Sequence, residues 1–232
     1  MASAHQVKNR LLAALSSADF AELADDLYRV TLQPKHIIYE VGARLDYVYL
    51  IEEGLASVLT MMEDGATSEA YMIGAEGLIG ASALLGGRHS AHRVVTQLPI
   101  VAYRMAAGNC KAAFDNNHRV REVVLDFVEE LLNLSAQTAG CNRLHSVEQR
   151  SARWLLMASD RIGSNVLPLT QEFLAAMLGV RRPGVSETMG ELQRSGLIRY
   201  RRGEITITDR AGIEEAACEC YGLDRKRVER LL

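Results

Sequence analysis

The chain has 232 residues, with 26 Lys+Arg, 29 Asp+Glu and a net charge of −3. That is room for one or two domains, and it lacks the strong positive charge of a protein that coats nucleic acid. Hydrophobic residues make up 48%, enough for a core, and no segment has a disordered composition. No apolar run reaches transmembrane length and MASAHQVKNR lacks a signal-peptide pattern, so a cytoplasmic protein with no membrane partner is expected.

Residues 6–16 and 19–29 read as short amphipathic helices, with Ser17 and Asp19 as candidate caps for the second. Pro34 marks a change. From Leu32 to Tyr103 the runs HIIYEVG, YVYLIEEGLASVLTMM, EAYMIG and RVVTQLPIVAYRM alternate apolar with polar residues, and Gly42, Gly54, Gly65 and Gly74 punctuate them. Many short strands broken by glycines predict an antiparallel sandwich or barrel. Within it, Gly74–Val95 is glycine-rich. A short helix near Ala81–Leu85 would present backbone N–H groups, an arrangement that suits an anion. Gly80, Ala81, Arg88, His89 and Ser90, with Arg93 nearby, form a candidate effector pocket; a capped loop without a ligand accounts for the same residues.

Residues 108–117 return to helix, and His118–Cys141 reads as one long helix. Val120, Phe127, Leu134 and Cys141 recur every seven residues, and Val124 and Leu131 fill the intermediate stripe. This is a coiled-coil pattern. It predicts a dimer interface at Val120, Val124, Phe127, Leu131 and Leu134, with packing on the chain's own barrel as the alternative. Gly140 and Asn142 then loosen the helix, so the expected division is a first domain at 1–117, a dimerisation helix at 118–142 and a second domain at 143–232. Charge changes at this last boundary. Residues 1–142 hold 11 Lys+Arg and 17 Asp+Glu, for −6, whereas 143–232 hold 15 and 12, for +3.

Ser146 opens a helix containing Trp154, expected to be a core residue. Thr170 then caps a helix with Phe173, Leu174, Met177 and Leu178 at apolar positions, and Gly179 can end it at positive φ. Pro183 suits a first helical turn. Val185, Met189, Leu192, Leu197 and Ile198 supply the apolar face of the second helix, with Gly196 as its end. Two helices joined by a tight turn predict a helix-turn-helix. In such units the N-terminal end of the second helix reaches base edges, and here that end carries Arg181, Arg182, Ser186 and Glu187. Arg can grip guanine, Glu can accept from cytosine and Ser can pair with either kind of group. IRYRRGEITIT, Ile198–Thr208, predicts a β-hairpin wing that brings Arg199, Arg201 and Arg202 near phosphates, joined by Thr170 at the helix start. Asp209 caps a final helix that Gly222 is expected to stop, leaving a short basic piece.

Cys110, Cys141, Cys218 and Cys220 match no zinc spacing. Four unligated thiols are expected, with no metal; a redox pair at Cys218 and Cys220 is the alternative. No nucleophile–base pair appears, so the chain is not expected to be an enzyme.

This layout resembles the Crp/Fnr family of transcription regulators over nearly the whole chain. Leu174–Ile198, LAAMLGVRRPGVSETMGELQRSGLI, is similar to the family pattern LAxxLGxxRxxVSRxLxxLxxxGLI, and Tyr49–Val58 is similar to an early strand-turn-strand of its β-roll. The resemblance implies an α+β fold: an antiparallel, cyclic-nucleotide-binding-like β-roll with flanking helices, a long dimerisation helix and a C-terminal winged helix-turn-helix. It also implies homodimers on palindromic promoter sites, with double-stranded DNA and RNA polymerase as partners; whether the β-roll takes a small-molecule effector or serves as a scaffold stays open, as do the identity of any effector and of any cofactor. Cyclic AMP-responsive members use Gly-Glu followed by Arg-Ser. Here the run is Gly80-Ala81, then Arg88-His89-Ser90, so cyclic AMP is not expected in the usual manner. With no cysteine before Cys110, the oxygen sensors' N-terminal iron–sulfur cluster is not expected, and no motif marks His36, His89, His92 or His118 as haem ligands. Glu187 stands where the family commonly has arginine, and Pro183 replaces its second reader, so a different half-site is expected. The alternative function is a ligand-binding module that acts through protein contacts rather than DNA.

Overall fold

The computed structural model describes residues 7–230, so Gln6 of the first expected helix and the terminal Leu231 and Leu232 lie outside it. Two compact units emerge. One holds the described residues through Val58, Tyr71–Asn133 and the chain from Val228; the other holds Leu59–Ala70 and Leu134–Arg227. No helix among the described residues is long and apolar enough to cross a membrane.

The first unit begins with α1 (Arg10–Ala13), capped by Asn9, and α2 (Ser17–Ala24). Ser16, rather than Ser17 or Asp19, caps α2: its extended backbone places its hydroxyl to accept from the Asp19 amide. Residues 28 and 29, expected in that helix, instead belong to β1 (Tyr28–Leu32), because its partner β8 (Ile100–Ala106) pairs with it antiparallel from Tyr28↔Arg104 to Leu32↔Ile100. The remaining strands are β2 (Ile37–Tyr39), β3 (Tyr47–Glu53), β4 (Ala56–Met61), β5 (Thr67–Ile73), β6 (Leu78–Ile79) and β7 (Arg93–Thr96). They form two four-stranded sheets, β1-β8-β3-β6 and β2-β7-β4-β5. This is the expected β-roll. Gly54 turns β3 into β4 at φ 94°, where a Cβ would lie 2.1 Å from the Pro99 carbonyl oxygen.

Two helices close this unit: α3 (Ala107–Asn116) and the first part of α4 (His118–Leu144). Val120, Val124 and Phe127, expected to face a second chain, are buried in this chain's own core with Val48, Ile51, Leu78 and Leu84, and Leu131 packs against that core. Leu134 is buried as well. The first part of the stripe, through Leu131, is therefore satisfied by the β-roll, whose apolar inner face needs a lid as much as the helix needs a partner. Phe127 lies so close to the Gly77 backbone that a Cβ there would be 2.3 Å from its ring. The large apolar side chains that α4 leaves exposed are Leu125, Leu132 and Leu144.

The second unit is built on α5 (Val147–Ile162), which opens with a capping box between Ser146 and Gln149 and ends at Gly163, φ 64°. Two reciprocal hydrogen bonds satisfy backbone donors that the first turn leaves free. Trp154, Leu155 and Leu156 of α5 are buried with Leu174, Val185, Met189, Ile205 and Ile213 from the elements around it, and the Trp154 indole N–H donates to Glu69 at 3.0 Å. Arg153 and Asp224 form a buried ion pair, with Arg153 Nη2 2.6 Å from Oδ2. The C-terminal helix departs from expectation. It splits into α8 (Arg210–Ala216), capped by Asp209, and α9 (Cys220–Arg230), which runs through Gly222. Ala217 takes an extended backbone and breaks the helix, and Asp224 anchors the next one against Arg153, so glycine at 222 does not end it.

Candidate functional site

The helix-turn-helix is assembled by local rules. Thr170 accepts from the Phe173 amide at 3.1 Å and starts α6 (Gln171–Leu178); Gly179 ends it at φ 62°. The Arg150 guanidinium donates to the Leu178 carbonyl, one of the acceptors a helix end leaves unsatisfied. After this turn α7 (Arg182–Arg194) begins, with Arg181 as its N-cap residue and Pro183 in its first turn, where no amide proton is needed. Ser195 rather than Gly196 is the C-cap, and Gly196 carries the reversal that follows at φ 76°.

Burial divides α7 in two. Val185, Thr188, Met189 and Leu192 are buried, and Arg181, Arg182 and Glu187 are exposed. Three of the four expected base readers are thus exposed over the first two turns of α7. Ser186 differs: it is partly buried and its hydroxyl donates to Gln171 Oε1 at 2.7 Å, tying α7 to α6. The serine could be read from the motif, but its partner could not, because Gln171 lies on another helix.

The wing is a three-stranded antiparallel sheet in the order β10 (Ile198–Arg201), β11 (Glu204–Ile207), β9 (Val166–Leu167). Arg201 pairs with Glu204, and the two turn residues Arg202 and Gly203 have φ of 46° and 81°. Two positive φ angles are what a tight two-residue hairpin requires to match strand twist. Ile205 and Ile207 point inward, and Arg199, Arg201 and Arg202 are exposed. All the expected phosphate contacts therefore lie on this unit's surface near the hairpin and the start of α6.

The glycine-rich loop of the first unit is shaped by its own bonds. Gly80, at φ 93°, caps a 3-10 turn at Ala81–Ala83, shorter than the expected helix. The Ser90 hydroxyl donates to the His92 carbonyl at 2.7 Å, and Arg93 is held by both Glu40 carboxylate oxygens. Arg88 and His89 are exposed, and the Arg88 carbonyl accepts from the Leu45 amide at 3.0 Å. A nucleotide's ribose hydroxyls would find no carboxylate at Ala81, and the serine is already engaged. These residues do not fit the usual cyclic nucleotide donor set.

Two domain families match this sequence: a cyclic nucleotide-binding domain over residues 29–117 and a Crp-like helix-turn-helix domain over residues 149–216. The chain belongs to the Crp/Fnr family. The transcriptional regulator SdrP of Thermus thermophilus is 26% identical over 181 residues, covering 74% of this chain and 84% of that protein. Among solved structures, FixK2 from Bradyrhizobium japonicum has a TM-score of 0.71 at 14% identity, covering 83% of this chain and 98% of that one. A CRP-family transcriptional regulator of Thermus thermophilus has a TM-score of 0.71 at 21% identity, covering 81% of this chain and 96% of that one. This Crp/Fnr protein is a transcriptional regulator with a DNA-binding helix-turn-helix and a cyclic nucleotide-binding-type domain.

All four cysteines of this Crp/Fnr regulator are free, buried thiols, but they are not equally spread. Cys110 is alone in the first unit's core, where burial pushes its thiol up to about 12. Cys141, Cys218 and Cys220 converge instead, with the His145 ring beside them, and their ligand atoms all lie within 4.8 Å of one another. A hydrogen bond from Cys218 holds the Cys141 thiol well below its usual range, and the same contact pushes Cys218 up. No spacing rule finds this group, since two of its members come from the end of α4 and two from the α8–α9 junction.

Proposed function

We propose that this Crp/Fnr regulator binds palindromic promoter sites as a homodimer and reads each half-site with the first two turns of α7. The observation that carries the reading is the exposure of Arg181, Arg182 and Glu187 over those turns, backed by buried Val185, Thr188, Met189 and Leu192. Arg182 takes guanine, Glu187 accepts from cytosine, and Arg181 supports both. Ser186 acts through Gln171, fixing the angle at which α7 is presented. Thr170, Arg199, Arg201 and Arg202 hold phosphates and set register without reading sequence.

Dimerisation uses a different face of α4 from the one the heptad pattern selects. Leu125, Leu132 and Ala139 are exposed at seven-residue spacing, and together they form a seam of the kind that two parallel helices share. Residues 1–117 then sense, 118–142 dimerise and 143–232 bind DNA, with RNA polymerase as the downstream partner. The effector is not cyclic AMP bound in the usual way, since Ala81 gives no carboxylate to the ribose and leaving such hydroxyls unpaired costs on the order of 1–3 kcal/mol each.

DNA selection from a random pool by the purified chain, at physiological salt and with or without cyclic nucleotides, tests this. A palindrome enriched equally under both conditions is expected. Enrichment that requires a cyclic nucleotide would overturn the effector reading. No enrichment under either condition would favour a module acting through protein contacts.

A further inference from the structure

The cysteine–histidine group is a built cluster. Cys141 and His145 lie one helical turn apart at the end of α4, and the His145 amide donates to the Cys141 carbonyl at 3.1 Å, which keeps both side chains on one face. Facing them, the Tyr221 amide donates to the Cys218 carbonyl at 3.0 Å and turns the chain so that Cys218 and Cys220 both point inward. The three cysteines are 1%, 4% and 0% exposed and form an apolar contact cluster that contains no other residue. Cysteines that serve only as small hydrophobes pack among aliphatic side chains; these pack on one another.

The spacings decide the chemistry. A tetrahedral zinc, with Zn–S about 2.3 Å and Zn–N about 2.0–2.1 Å, sets two thiolates ~3.8 Å apart and a thiolate and imidazole nitrogen ~3.6 Å apart. Cys141 Sγ lies 3.5 Å from Cys218 Sγ, and Cys220 Sγ lies 3.7 Å from His145 Nδ1. An iron–sulfur cluster interposes several iron and sulfide atoms and spreads its thiolates wider. The outer contacts are of the kind metal sites use. His145 turns Nδ1 to the thiols and Nε2 to the Glu219 carboxylate at 3.3 Å, which fixes the ring as a carboxylate–histidine–metal arrangement requires. Gln137 Nε2 donates to Cys220 Sγ at 3.0 Å. Three thiolates and a neutral imidazole around a divalent ion leave one negative charge.

We propose that Cys141, His145, Cys218 and Cys220 bind one zinc ion as a Cys₃His structural site that clamps the last turn of α4 to the start of α9. Each thiol that enters as a neutral group releases its proton to solvent, so affinity falls as pH is lowered. The ion closes a loop of the chain running from residue 141 to residue 220, which contains the helix-turn-helix and its wing.

The test is metal content of the full chain, purified reduced and refolded with zinc. About one zinc per chain is expected, with an X-ray absorption edge fitted by three sulfurs and one nitrogen, and cobalt(II) substitution should give thiolate-to-cobalt charge transfer. Cys220→Ala should lose the ion, Cys110→Ala should keep it, and removing zinc with a chelator should lower the midpoint of thermal unfolding. No zinc above the buffer blank, iron with labile sulfide, or a Cys141–Cys218 disulfide in reduced preparations would each overturn the assignment. So would zinc with an oxygen-rich shell, a result on the wild-type chain that holds even where Cys220→Ala fails to fold.

Discussion

Replacing Asp224 with alanine tests how the C-terminal helix is held. Its side chain is 1% exposed and that of Arg153 is 9% exposed. Arg153 Nε and Nη2 donate to the same carboxylate oxygen at 2.9 and 2.6 Å. Without the carboxylate, the buried guanidinium is left, among the described residues, with the Thr138 hydroxyl at 3.3 Å as its hydrogen-bond partner. An uncompensated buried charge of this kind costs about 3–5 kcal/mol. At about 2–4 °C per kcal/mol for a chain of this size, the midpoint should fall by roughly 6–20 °C. Burial pushes the Asp224 carboxyl above the ordinary carboxylate range even with Arg153 beside it, so the pair does not recover its full desolvation. The double variant Arg153→Met, Asp224→Leu should therefore restore most of the loss, because it removes both charges together. Thermal unfolding of the wild type, the two single variants and the double variant measures this. A single Asp224→Ala loss below about 1 kcal/mol, the scale of an exposed pair, would refute the reasoning.

Four further outcomes are expected. Arg182→Ala should relax preference at one base position and cost about 1–3 kcal/mol in competition binding; an unchanged preference removes it as a reader. Arg201→Ala should weaken all sequences alike and lower the salt slope of binding by roughly one; an unchanged slope removes that phosphate contact. Gly77→Ala would put a Cβ 2.3 Å from the Phe127 ring and should cost about 1–3 kcal/mol in urea unfolding as the ring is displaced; a neutral variant would mean that α4 shifts freely on the β-roll. Leu132→Glu, at a side chain 68% exposed, should leave the chain folded but monomeric by light scattering, and a persistent dimer would exclude that seam.

Much of the site could be read along the chain. The caps at Thr170 and Ser146, the αL glycine at 179 and the early proline at 183 act within a few residues of themselves, so the sequence carries them in full. The arginines of α7 and the wing were readable for the same reason, since alternation and helical spacing decide which side chains face out. The α4 stripe was readable only as apolar. A seven-residue repeat says that Val120, Val124 and Phe127 need a partner, and both a second helix and the chain's own β-roll meet that need.

Local chemistry therefore determined the elements, their order and the outward face of the recognition helix, because hydrogen bonds and backbone preferences over one turn decide these. Tertiary packing decided what crosses the chain. It gave the first part of the α4 stripe to the β-roll, tied Ser186 to Gln171, and carried α9 past Gly222 through the Arg153–Asp224 pair. It also gathered Cys141, His145, Cys218 and Cys220. Sequence spacing could not show that group, because its two halves lie more than seventy residues apart in the chain and only the packing of the fold brings them together.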